Sequence, residues 1–170
     1  SSNDSLAQIS MTELQFVGMD FLATDGYLEI DSNSSLIAID MPALVTVKNS
    51  FSVQHNASLP DLAGFGSLAH VGGDFELTHN DLLTSLVGMT SLTQIGGNLV
   101  VSSNPVLTSV QEFGSLTQVA ANLQFEELPS LVDLAGLELL SYLGNTLIIS
   151  NCDALTGIDS MGSILDFHDE

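Results

Sequence analysis

Positive charge is almost missing from this chain: one Lys or Arg, Lys48, stands against 21 Asp and Glu, for a formal net charge of -20. With no cations to displace counterions, the surface repels nucleic acid and anionic lipid, and both are excluded as partners. Charged residues are only 13% of the chain, so it is starved of bases more than loaded with acids. Such depletion fits life in salt, beside divalent cations or outside the cell, and equally a composition bias shared across a lineage. The single cysteine, Cys152, excludes an internal disulfide framework. No apolar run reaches membrane-spanning length, so membrane insertion is not expected, and no signal segment is present. The opening "SSND" lacks an initiator Met, as expected of a processed, secreted product.

What the chain does have is a rhythm. Its 170 residues, 45% of them hydrophobic, suit one domain with an ample core. The stretches "GGDFELTHNDLLTS" and "GGNLVVSSNPVLTS" are near copies, and self-similarity is the first thing to trace. Leu28, Phe51, Phe75, Leu99, Leu123 and Leu147 are spaced by 23 residues once and by 24 thereafter. Two residues after each comes Ile30, Val53, Leu77, Val101, Phe125 or Ile149. Five after comes Asn33, Asn56, Asn80, Asn104, Leu128 or Cys152. Eight after, the residue is Leu in all six: Leu36, Leu59, Leu83, Leu107, Leu131 and Leu155. Further apolar rows follow at every third position and end at Val47, Val71, Ile95, Val119, Leu143 and Phe167.

Alternation at the start of each repeat predicts a short strand with one face inward, and stacking the repeats joins these strands into one parallel sheet. Apolar residues three apart predict a chain turning round a core in short straight or 3₁₀-like segments. The Asn row falls where the chain leaves the sheet, and a buried amide there can bond the backbone of its own coil and the next. Asn33, Asn56, Asn80 and Asn104 are therefore expected as a structural ladder, with Cys152 as a small member of it.

The phrase "GNLVVSSNPVL" resembles the "G-x-L-x-I-x-x-N-x-x-L" of leucine-rich repeats, and more closely their receptor L-domain-like branch, over about residues 27–167. The resemblance implies a β-rich, right-handed solenoid of about six 24-residue coils. Residues 1–24 would form an N-terminal cap or degenerate repeat, and 25–170 the solenoid proper. It also implies extracellular or cell-surface roles in binding proteins or glycans, or in building walls.

Against this rhythm the chemical motifs are few. Gly72-Gly73 and Gly96-Gly97 precede strands and read as corners, since a phosphate loop would need a helix and a Lys or Ser/Thr ligand after it. His55 and His79 hold the same place in adjacent coils, within reach of a shared metal together with Asp81. Ser32 and Ser103 hold that place on either side, and no metal is expected there. No Ser-His-Asp arrangement or nucleophile elbow occurs, and no enzyme is expected. The outward strand residues, among them Tyr27, Glu29, Asp74, Glu76, Gln124 and Glu126, form a polar, anionic face as the candidate binding surface. No cofactor is expected, with calcium left open. Of the glycosylation sequons at Asn3, Asn33 and Asn56, only Asn3 lies off the ladder.

A solenoid end left bare puts core side chains in water. The pattern runs to Phe167 with nothing comparable to a cap beyond it. Either the chain is a piece of a longer protein or something docks there, and Leu143, Ile164 and Phe167 mark the candidate assembly end. The expected function is a non-enzymatic structural or interaction module that adheres or builds a surface layer, with further copies of itself joining head to tail into filaments. The alternative is a receptor-like domain recognising a peptide or glycan on the strand face.

Overall fold

A computed structural model describes residues 5–18 and 26–161. The repeat is realised as a β-solenoid of about five turns. The six strands at the start of each repeat, Leu28–Asp31, Phe51–Gln54, Phe75–Thr78, Leu99–Ser102, Leu123–Glu126 and Leu147–Ser150, form one six-stranded parallel sheet. Pairing is in register, with Leu99 facing both Phe75 and Leu123. Parallel pairing of consecutive strands needs a long return path, and here the rest of each coil supplies it.

The expectation of a single sheet is corrected. A second six-stranded parallel sheet runs along the solenoid, built from the two-residue strands Phe16–Val17, Thr46–Val47, His70–Val71, Gln94–Ile95, Gln118–Val119 and Tyr142–Leu143. Its inward residues are the last apolar row of each repeat. A two-residue strand has one inward side chain, so its alternation leaves no periodic signal to read.

The spacing of three has a definite cause. In each coil the N–H of the recurring Leu bonds the carbonyl three residues back, as in Leu83 to Asn80, 3.1 Å, and Leu107 to Asn104, 3.2 Å. Two more such turns follow, Met89 to Leu86 and Leu92 to Met89, both 3.0 Å. Each turn advances three residues and returns an apolar side chain to the core. Only Gln111–Phe113 and Asp159–Met161 become 3₁₀ helices among the described residues.

The core is a continuous column. Phe51 and Phe75 stack at 4.8 Å, and Phe65 and Phe113 meet them edge-on. Inward residues of the interior coils, such as Leu77, Leu83, Val101 and Leu107, are fully buried.

At the N-terminal side, residues 5–18 lie on the first full coil. Ile9 pairs with Ile39 and Val17 with Val47. This offset is 30 residues, against 24 in the interior. Ile9-Met11-Leu14-Val17 and Ile39-Met41-Leu44-Val47 share the same contracted spacing, so this segment is a genuine partial coil. The remainder of the expected 1–24 cap lies outside the described residues. At the other end Leu143, Leu147, Ile149, Leu155 and Ile158 are half-buried, where their interior counterparts are sealed. Ile164 and Phe167 lie outside the described residues.

Candidate functional site

Three longitudinal features could carry function: the inner Asn row, the corner beside it and the outer face of the first sheet.

The Asn row is structural and polarised. Asn56 Oδ1 accepts the N–H of Asn33 at 3.2 Å, and its amide donates to Ile30 O and Gln54 O at 2.8 and 2.7 Å. Asn80 and Asn104 repeat the pattern one coil on, each accepting the N–H of the Asn before it. The bonds join each coil to the preceding one, not to the following one as the spacing alone suggested. Leu128 breaks the row with a fully buried apolar side chain. Cys152 resumes it, its Sγ reaching Phe125 O and Ser150 O at 3.5 Å, the two carbonyl positions an Asn would serve. Burial pushes its thiol pKa up. Asn33 and Asn56 are buried and so cannot serve as glycan acceptors, while Asn3 lies outside the described residues.

A second ladder escaped the sequence reading. Asp74, assigned there to the binding face, accepts both the N–H and the side-chain amide of Asn98, at 2.7 and 2.8 Å. Asn98 does the same for Asn122, and Asn122 accepts the N–H of Thr146. Acceptors here sit on the earlier coil, the reverse of the inner row. The 24-residue recurrence at 74, 98, 122 and 146 was visible, but the mixed identities hid it.

The Gly pairs are corners, as the rhythm implied. Gly72 and Gly96 lie between the two sheets, and each N–H donates to a carbonyl of the preceding coil, Val47 O and Val71 O. A Cβ on Gly96 would lie 2.2 Å from the Gly72 carbonyl oxygen. At Gly72 and Gly96 the coils come too close for a side chain, whereas Lys48 and Ala120 hold the equivalent positions in other coils.

The residue before each position of the inner row adopts a left-handed backbone in every coil: Ser32, His55, His79, Ser103, Glu127 and Asn151, with φ between 52° and 58°. Strict alternation would turn this residue inward. The left-handed kink sends it outward and brings the next residue, the Asn, into the core. His and Asn enter this region more readily than most side chains.

Along this corner His55 and His79 stack at 4.7 Å with planes 18° apart, and His55 Nδ1 lies 3.0 Å from Asp31 Oδ1. Ring-nitrogen lone pairs lie in the ring plane. Those of stacked rings run parallel and do not converge on one ion. No group of three or more His, Cys, Asp or Glu side chains suited to a metal occurs among the described residues. Further along, a shallow groove is lined by His79, Asp81, Ser103, Pro105, Glu127 and their neighbours.

On the outer sheet face Tyr27 and Glu29 are exposed, while Glu76, Gln124 and Glu126 are half-buried among their neighbours. Gln54 Nε2 donates to Glu76 Oε2 at 2.9 Å, and Ser150 Oγ to Glu126 Oε1 at 3.4 Å. Partial burial, then the nearby Asp74 and Glu29 carboxylates, raise the Glu76 pKa. The face is in register across the six strands and carries the carboxylates of Glu29, Glu76 and Glu126. No helix among the described residues is long and apolar enough to cross a membrane.

These features define a class by shape: a β-solenoid with two six-stranded parallel sheets, a short two-stranded one and a ladder-stitched interior. No protein-family model matches the chain, and no curated protein or solved structure matches it.

Proposed function

We propose that this solenoid is a non-enzymatic structural or interaction module of the extracellular space or cell surface, built on the leucine-rich-repeat, L-domain-like plan. The observation that carries this reading is the register. Buried and half-buried polar rows bond coil to coil, and the outward rows repeat in register across six aligned strands as a mainly polar platform. A platform of this kind suits contact with an extended surface, such as another protein or a glycan layer. Head-to-tail assembly is favoured by the half-covered Leu143, Leu147 and Ile149, which the N-terminal coil of a second copy would complete. The net charge of -20 opposes association at low ionic strength. Screening over about 3 Å at 1 M salt, or bound calcium, would relieve that repulsion.

Electron microscopy of the purified chain at low and high salt, with and without calcium, tests the assembly. Filaments with an axial repeat near six coils, about 29 Å, are expected, and Leu143→Asp or Phe167→Asp should abolish them. Single particles under every condition would overturn self-assembly. The alternative is recognition of a peptide or glycan on the strand face, favoured by the Glu76 and Gln54 pair held at its centre. It predicts a soluble ligand whose binding is lost on substitution of Glu76 or Gln124.

A further inference from the structure

The corner groove beside the stacked histidines is shallow and partly apolar, with prolines at its middle. Its floor is one row of the repeat: Asp81, Pro105, Pro129 and Asp153, each one coil apart. The two prolines are exposed between the two carboxylates. Leu82 and Val106, next in the chain after the first two of these positions, are exposed beside the groove and not in its lining. An apolar centre with an acidic rim is the composition of a protein-docking site. The side chains of Asp81 and Asp153 make no hydrogen bond within the described residues, and Glu127 takes one from Ser103 Oγ at 2.7 Å. With one Lys or Arg in the whole chain, the cations that complement this rim have to come from a partner.

Spacing sharpens the choice of partner. Coils at this corner are 4.7 Å apart, as the stacked histidines measure directly. Asp81 and Asp153 are three coils apart, hence about 14 Å. An extended peptide advances about 3.3 to 3.4 Å per residue, so its residues i and i+4 span about 13.5 Å and face the same side. Residue i+2 then falls midway, over the two prolines.

We propose that this groove binds an extended segment of a partner protein that reads basic-x-apolar-x-basic, laid along the solenoid axis with its cationic side chains on Asp81 and Asp153. The proposal rests on the reading of the chain as an interaction module and names the partner chemistry.

The probe is a labelled, end-blocked Lys-Ser-Leu-Ser-Lys, compared by fluorescence anisotropy with Lys-Lys-Leu-Ser-Ser, identical in composition and charge. At low salt the spaced peptide should bind about tenfold more tightly, the gain from two exposed ion pairs and one apolar contact. Asp81→Asn with Asp153→Asn should erase that preference, and Pro105→Ser with Pro129→Ser should reduce it. Glu13→Gln with Glu138→Gln, exposed acids elsewhere, should leave it intact. Equal binding of the two peptides overturns the groove, showing attraction to net charge alone. A preference that survives the Asp81 and Asp153 changes, or disappears with Glu13 and Glu138, overturns it as well. Filament formation in the microscope is read independently, so either result leaves the assembly proposal to its own test.

Discussion

Replacing Asn80 by Ala tests whether the inner ladder holds the coils together. Asn80 is fully buried. Its Oδ1 accepts the Asn56 N–H at 3.1 Å and its amide donates to Val53 O at 3.0 Å. Truncation strands one buried backbone donor and one buried acceptor, and each such orphan costs about 1 to 3 kcal/mol. The cavity adds little, because the lost atoms are polar. The expected loss is about 2 to 6 kcal/mol, or a fall in Tm of about 4 to 24 °C for a domain of this length. Guanidinium melts followed by circular dichroism would measure it, with the transition slope checked because repeat arrays need not unfold in one step. Cys152→Ala is the internal comparison: its thiol is half-buried and its contacts are long, so it should cost less than about 1 kcal/mol. If Asn80→Ala cost no more than Cys152→Ala, the ladder would not be what binds the coils. The apolar core would then be sufficient, as it is at Leu128.

Gly88→Ala should destabilise the fold by about 2 to 4 kcal/mol, since φ is 106° and an added Cβ would lie 2.0 Å from Leu62 O; an unchanged denaturation midpoint would refute the close approach. Glu76 has its pKa raised in the folded state, so folding favours the protonated form. Its contribution is full below the ordinary glutamate pKa and is lost as pH rises through the raised value. Glu76→Gln should therefore raise the denaturation midpoint at pH 7 and have little effect near pH 4; the opposite order would show that the carboxylate is stabilising. Burial raises the Cys152 pKa, so iodoacetamide should alkylate it more slowly at pH 8 in the native chain than after unfolding, and equal rates would refute its enclosure.

The repeat and its inward rows could be read directly because apolar side chains at fixed spacing report burial without reference to context. Leu36, Leu59, Leu83 and Leu107 are all buried where the pattern placed them. The Asn row was legible for the same reason, its identity being nearly constant. The second ladder was not, because Ser50, Asp74, Asn98, Asn122 and Thr146 share only a capacity to join hydrogen bonds. Nor could the left-handed corner be read from Ser, His, Glu and Asn, whose common feature is backbone geometry. Asp74 illustrates the limit for the site. As a residue it looked like part of an anionic surface, and in the fold its carboxylate is occupied by Asn98.

The stitching between coils also gives the molecule a mechanical character. Backbone and side-chain bonds between successive coils run along the solenoid axis, with the 24-residue loops wound across it. Tension applied to the two ends therefore opens the bonds of one coil junction at a time, from whichever end is weaker, like a zip. Each junction that parts releases 24 residues, about 80 Å of extended chain. Between two anchored surfaces such a chain would lengthen in even steps and rewind when the load falls, acting as a spring with discrete stops.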